Sequence, residues 1–436
     1  MEVKPFKAYR FDPAAVGNAG DCIAPPYDVI GPEQQELLYE KNEHNIVRII
    51  RAKTFPSDND ADNQYTRARG YLNDWISSGA LKQDSAETIY AYAQDYDLDE
   101  THLQRLTFIA LAALEEFGKV VKPHEEILSK PMLDRLNLTK ATSAQFGLIF
   151  MLYNDKQQIA DKILEKAAAG EALIDFTDEQ DVRHRLFAID DEGDVSAITR
   201  MMSDKSVIIA DGHHRYTTGL KYAADSDNPA AEYQMLAFTN IQQSGLIVLA
   251  THRLVANLNG FDMKKLIADL RRNFEVTSAA FDDEQSKASA RSKMLAQMKE
   301  QMDDDKNAFV IYAGDGAFYL AVLKNGETMN SAVPDKSEAY RSLDVAVLHK
   351  LIFEEVLGID EERQARSENL QYVKDTPNAI DDSIAQVDAG EKQAAFFMNP
   401  IKMSQLIGVT DAGERMPQKS TYFYPKMFTG LTINKL

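Results

Sequence analysis

The chain has 436 residues, 44% hydrophobic and 27% charged, with a formal net charge of −20 and one cysteine, Cys22. This length supports two or three domains with sizeable cores, while the acidic balance opposes binding to nucleic acid or to an anionic membrane. A lone cysteine excludes an internal disulfide and a cysteine-based zinc cluster, and no run approaches the roughly 18 apolar residues of a membrane span.

From Met1 to Asp12 there is no apolar stretch of the signal-peptide kind, so a cytoplasmic location is expected. Pro25 and Pro26 hold the segment before Tyr27-Asp28 extended, and Pro32 opens a helix that runs to about Glu40. Asn45 to Arg51 reads as a strand. Gln64 to Ser77 has helical spacing, with Trp75 on its buried side and Gly79 as its stop. Strands are expected over Thr88 to Gln94, Leu106 to Leu114 and Gln145 to Tyr153, and a helix over Lys156 to Ala168. A strand from His184 to Ile189 and a helix from Val195 to Met202 lead into the central stretch. Beyond it come strands at Gln234 to Thr239 and Gly245 to Ala250. His252, just after them, reads as a structural hydrogen-bonding group.

From Phe261 the chain becomes more charged. Helices are expected over Met263 to Asn273 and Asp283 to Met302, then a hairpin pairing Phe309 to Ala313 with Ala317 to Leu323 around Gly314-Asp315-Gly316. An amphipathic helix over Leu343 to Leu357, another over Ala379 to Val387, and a strand over Ala394 to Met398 follow. The fold class is α+β (mixed α/β). Four segments are set out: 1–115, 116–258, 259–335 and 336–436.

The central stretch is Val207 to Leu220. An apolar strand, Val207 to Ala210, meets Asp211-Gly212, and helical spacing follows from Arg215 to Tyr222. A helix N-terminus offers N–H groups and positive dipole, which suit a phosphate, and Arg215 adds a planar fork of donors. Gly212, His214, Arg215 and Tyr216 are therefore assigned to phosphate or nucleotide, and Asp211 and His213 to catalysis. Asp211 suits either a Mg²⁺ or a substrate proton. The alternative is a surface turn with a capping aspartate and solvated imidazoles.

Two other segments carry candidate chemistry. After the extended approach set by Pro123 come His124, Glu125 and Glu126, a place for a general base or simply the acidic first turn of a helix. Near the end, Gly413 to Lys426 is aromatic and basic in an acidic chain. It reads either as the lining of an anionic pocket, with Lys419 as a point charge on phosphate, or as a C-terminal clamp. Ser420 and Thr421 are grouped with Lys419 on the phosphate. Tyr27, Asp28, His124 and Arg415 are grouped as substrate-binding.

Pro25-Pro26-Tyr27-Asp28, Asp211-Gly212-His213-His214-Arg215-Tyr216 and Glu414 to Pro425 together resemble a bacterial family filed as a domain of unknown function (number ten-fifteen). That resemblance covers nearly the whole chain and implies a link to serine metabolism. A more distant resemblance, of the His-Glu element and the Asp-Gly-His-His-Arg turn, is to free serine kinases built on the ParB/sulfiredoxin fold. It implies a ParB/sulfiredoxin-like core with an N-terminal extension and a C-terminal α/β accessory unit. It further implies nucleotide phosphate on Asp211 to Arg215 and a glutamate, Glu125 or else Glu126, serving the substrate hydroxyl. The spacing between the two elements is longer than the minimal kinase needs.

The expectation is thus a kinase moving phosphate from ATP or ADP to free L-serine, with Mg²⁺ bridging the phosphates and no nucleic-acid or membrane partner; the donor and the oligomeric state stay open. A nucleotide-sensing protein without transfer, and a metal-dependent phosphohydrolase using His213, His214 and His124, are the rivals. The G-x-x-x-x-G-K-[ST] phosphate loop is absent.

Overall fold

The computed structural model describes residues 1–98, 100–125 and 129–436, with side chains described at all of these except 129–131 and 365. It is a mixed α/β protein. Two compact units divide the chain: Met1–Pro123, Ile127–Ile247 and Pro425–Leu436 form one, His124–Glu126 and Val248–Tyr424 the other.

The first unit is built on a nine-stranded sheet. Its strands are β1 (Val3–Lys4), β2 (Ile89–Leu98), β3 (Thr101–Ala113), β4 (Val121–Lys122), β5 (Ile149–Tyr153), β6 (Ile174–Thr177), β7 (Arg183–Ile189), β8 (Val207–Asp211) and β9 (Tyr233–Asn240). They lie in the order β4-β8-β5-β9-β3-β2-β7-β6, with β1 beside the end of β3. The β9–β5 and β8–β4 pairs are parallel and the others antiparallel. Strands of the 1–115 and 116–258 segments therefore share one sheet, through β3 against β9.

Five helices of this unit matter below: α1 (Gln64–Ser78), α2 (Ser129–Thr142), α3 (Ile159–Ala168), α4 (Glu192–Met202) and α5 (His213–Ala224). Alternation along each strand sorts the two faces of the sheet. Ala91, Ala93, Phe108, Ala110, Met151 and Phe238 form one core with Leu164 of α3, Met202 of α4 and Tyr216 of α5. The opposite face is polar and aromatic yet equally buried, carrying Tyr92, Gln94, Arg105, Thr107, His184 and Thr239. Tyr92 Oη lies 2.5 Å from His184 Nδ1, and His184 Nε2 lies 3.0 Å from Asp178, so this polar layer is internally paired.

Local signals explain most boundaries. Asn63 caps α1 by accepting from Tyr65 and Thr66 N–H while Thr66 Oγ1 accepts from Asn63, and Gly79 ends the helix at φ +80°. Trp75 is core, 4% exposed. The strand expected over Asn45 to Arg51 is instead a single helical turn, Val47–Ile50. Asn45 Oδ1 accepts from Val47 N at 2.9 Å, and its amide donates to Asp21 and Ile23 carbonyls, so a side-chain turn at Asn45 overrides the β preference of Val47, Ile49 and Ile50.

The second unit holds a six-stranded sheet of β10 (Thr251–Val255), β11 (Phe274–Ala280), β12 (Ala308–Tyr312), β13 (Ala317–Leu323), β14 (Leu370–Lys374) and β15 (Ala394–Met398). The order is β11-β13-β12-β15-β10-β14, and its neighbouring pairs run antiparallel. Segments 259–335 and 336–436 thus meet in it, through β12 against β15. Helices α6 (Glu284–Asp303) and α7 (Ala379–Asp388) bury Met294, Met298, Ile384 and Val387 against Val310, Phe318 and Phe397. The helix expected over Leu343 to Leu357 is a short α-turn, Asp344–Val347, running into a π-helical stretch, Leu348–Glu354.

Candidate functional site

Val207, Ile208, Ile209 and Ala210 are buried, as the apolar run demands. Strict alternation would put Asp211 on the same face as Val207 and Ile209, inside the apolar core. The register against β5 shifts at this point: Ile209 faces Met151, but Asp211 faces Phe150. This bulge re-aims Asp211 onto the polar face, where the Arg105 guanidinium sits 5.0 Å from the Phe150 ring. Gly212 follows at φ +101°, a conformation glycine takes without strain, and is the N-cap of α5. Having no side chain, it places no capping group over the first-turn N–H groups, and a Cβ there would lie 3.1 Å from the Arg215 guanidinium.

Asp211 is one carboxylate between two cations. Lys426 Nζ is 2.9 Å from one oxygen and Arg215 Nη2 is 3.6 Å from the other. Burial pushes the carboxyl pKa up, but the attraction of Lys426 and Arg215, with the Lys426 hydrogen bond and His213 adding to it, holds it well below the usual carboxylate range. Asp211 therefore stays ionised at neutral pH and is a poor proton acceptor. Of its two assigned roles, ligand or counter-ion fits and base does not.

Arg215 is turned inward. Its guanidinium donates to Leu148 O and packs between Gly147 and Gly212, with its side chain 13% exposed. Part of the donor fork expected for phosphate thus braces the turn instead. Lys426 supplies a second cation that the sequence reading noted only as part of the tail. It is positioned from the polar face: Gln94 Nε2 donates to Lys426 O at 2.9 Å, and Arg105 donates to Pro425 O and to Gln94 Oε1. Burial lowers Arg105 to about 10, against the pull of Tyr96, Tyr92 and Asp211, so it still carries its charge. Sequence reasoning missed Arg105 and Gln94. The available signal was a charged residue directly ahead of the apolar run Leu106 to Leu114.

The other predicted residues of this unit divide. His213 is buried and His214 half-buried, and the His214 carbonyl accepts from Thr218 Oγ1 at 2.7 Å. Tyr216 is a correction. It is fully buried, and its hydroxyl accepts from Glu115 N and donates to Glu115 O, so it anchors α5 to the end of β3 and presents nothing to a phosphate. Tyr27 is half-buried, with the Arg135 guanidinium 4.0 Å over its ring. Burial raises the phenol, outweighing Arg135 and Arg215. Asp28 is exposed in the adjoining turn.

His124, Glu125, Arg415, Lys419, Ser420 and Thr421 belong to the second unit. His124 is buried; its Nε2 lies 2.9 Å from Thr421 Oγ1, and its carbonyl accepts from Met416 N at 2.8 Å. Ser420 Oγ donates to Pro417 O, and Lys419 is exposed at φ +58° while its carbonyl accepts from the buried Arg253 at 3.0 Å. The tail is therefore braced by its own polar side chains, and Tyr422–Tyr424 is a strand. Glu125 is half-buried; Glu126 lies outside the described residues. Arg415 is exposed and lines a pocket of about 330 Å³ with His349, Lys350 and Tyr372. Burial, then the Arg253 charge, keeps His349 neutral, so its Nε2 can accept from Arg253 Nε at 3.4 Å.

Among the described residues no group of three or more His, Cys, Asp or Glu side chains could hold a metal ion. A Mg²⁺ carried by nucleotide needs only one or two protein carboxylates, and Asp211 fits that lesser role. No described helix is long and apolar enough to cross a membrane.

A mixed α/β chain with a glycine-capped helix start, one firmly ionised carboxylate and two cations defines a protein with a candidate anion-binding turn. Residues 3–346 match the profile of a family described as "Protein of unknown function (DUF1015)", and the chain belongs to that family. No curated protein matches it significantly. Among solved structures it is similar to a free serine kinase in complex with AMP, at TM-score 0.34 and 12% identity, covering 72% of this chain and 86% of that one. It is also similar to a conserved hypothetical protein from Pyrococcus furiosus, at TM-score 0.33 and 14% identity over 73% and 92% of the two chains. A third is SbnI with C-terminal truncation from Staphylococcus aureus, at TM-score 0.34 and 9% identity over 75% and 87%.

Proposed function

We propose that this protein is a nucleotide-dependent phosphotransferase acting on a small hydroxyl compound, with free L-serine the acceptor and O-phosphoserine the product. The observation that supports it most is Asp211 paired to Lys426 and Arg215 at the glycine-capped start of α5. Phosphoryl transfer asks the protein mainly for positioning and charge neutralisation. The helix adds roughly half a positive charge to the side-chain cations at this end. In this reading the Gly212, His213 and His214 amides and the Lys426 ammonium hold the donor phosphates. Mg²⁺ would arrive with the nucleotide, with Asp211 its protein carboxylate, and would neutralise phosphate charge. The resemblance of the His-Glu element implies Glu125 as the group that serves the substrate hydroxyl. The serine acceptor comes from the resemblance of the Asp211 to Arg215 turn.

A second reading is a nucleotide-gated binding protein that uses the same turn without transfer. The same cation pair on Asp211 supports phosphate binding whether or not transfer follows. Incubation with Mg²⁺, ATP or ADP, and L-serine, followed by mass spectrometry, separates the two. The kinase reading expects O-phosphoserine that disappears with Asp211→Ala and falls at least about 100-fold with Glu125→Gln while nucleotide affinity holds. Nucleotide binding without product from either donor would favour the sensor.

A further inference from the structure

Beneath α5 the first unit contains a pocket of about 60 Å³, lined by α2, α5 and the start of β9. Ile50, Leu138 and Phe146 give it apolar walls; Arg135, Arg215 and Gln234 give it polar groups. A water needs roughly 10–15 Å³ by this measure, so the space suits about four to six non-hydrogen atoms.

Two glycines make this pocket. A Cβ at Gly219 would lie 2.8 Å from Gln234 Oε1, and one at Gly147 would lie 3.2 Å from Arg215 Nη1. Each glycine leaves room for a polar side chain that lines the cavity. Gln234 is 6% exposed, and its carboxamide has no hydrogen-bond partner among the described residues. Gln234 lines the cavity, so its carboxamide is placed to bond an occupant. Arg135 is fixed by Asp134 through Nε and Nη2 and by Ile50 O through Nη1, and Tyr27 stacks on it. These three bonds engage three of its five N–H groups.

We propose that this pocket binds a small aliphatic 2-hydroxy or 2-amino carboxylate. The guanidinium edges of Arg135 and Arg215 take the carboxylate, the Gln234 carboxamide takes the hydroxyl or amine, and Leu138 and Phe146 cover a methyl-sized side chain. Oxygen pairs on a planar carboxylate match guanidinium donors, and the apolar walls limit length. The site is separate from the phosphate contacts at Gly212 to His214 and goes beyond the phosphotransferase reading. Failure to form a phosphorylated product would leave it standing.

Isothermal titration of the full chain, without nucleotide, with L-lactate, L-alanine, propionate and benzoate tests it. L-lactate or L-alanine should bind with a dissociation constant near or below about 1 mM, propionate about tenfold more weakly, and benzoate not at all. Gln234→Leu keeps the side-chain volume and should erase the preference for lactate over propionate. Gly219→Ala should weaken all of them at least about tenfold. Absence of binding by every small carboxylate at 10-fold above about 1 mM would overturn the proposal, as would benzoate binding as well as lactate. Should Gly219→Ala fail to fold, Gln234→Leu and the wild-type ligand ranking still decide.

Discussion

Replacing Lys426 with methionine removes the ammonium 2.9 Å from Asp211 and leaves a volume of similar shape. At an effective dielectric near 20 the two charges attract by about 6 kcal/mol, most of it cancelled by their desolvation. The side chains are 18% and 23% exposed, so a net loss of about 1–2 kcal/mol is expected, or a few degrees in melting temperature. The sign with pH follows from the lowered Asp211 pKa. Its contribution is present above the unfolded value of 3.8 and is lost as pH falls toward the folded one, so the gap between variant and wild type should narrow below about pH 4. Nucleotide affinity should fall about 10–100-fold at pH 7, since a charge-assisted phosphate contact is lost, and Lys426→Arg should recover much of it. Calorimetric titration with ADP reads this directly. A folded Lys426→Met variant that binds ADP within about twofold of wild type would refute the role given to Lys426.

Gly212→Ala places a Cβ 3.1 Å from Arg215 at φ +101° and should cost about 1–3 kcal/mol in thermal unfolding, with nucleotide binding lost alongside. Tyr216→Phe leaves the Glu115 N–H without its acceptor, so it should destabilise by about 1–2 kcal/mol while ADP affinity stays unchanged; weaker ADP binding would return Tyr216 to the site. Burial raises Asp344 to about 7, against its hydrogen bond from Asn307 and the pull of Lys402. Its contribution is complete below the unfolded 3.8 and lost as pH rises through the folded value. Wild type should therefore lose about 3–4 kcal/mol relative to Asp344→Asn between pH 4 and pH 7.5, measured by urea unfolding at each pH.

The central strand, the Gly212 turn and the helix after it were legible because an apolar run, a glycine and helical spacing are local signals. The helix begins at His213, two residues ahead of the expected Arg215, since glycine itself serves as the cap. The bulge that re-aims Asp211 was not legible: it depends on the register against Phe150, a residue some sixty positions upstream. The same holds for Lys426, whose place is set by Gln94 and Arg105 on two other strands. Asn45 shows the opposite error, since its turn-forming side chain was present in the sequence, yet the apolar residues after it outweighed it in the reading. Tyr216 fell in a motif with chemical neighbours, and only its burial separates it from them.

The most direct measurement is an amide-resolved titration with ADP of protein labelled with ¹⁵N at glycine and histidine, following Gly212, His213 and His214. Saturable shifts at these three amides with one dissociation constant are expected, abolished in Asp211→Ala, while Gly326 and His102 stay still. Saturable ADP binding that leaves Gly212, His213 and His214 unmoved would contradict the placement of phosphate on this turn.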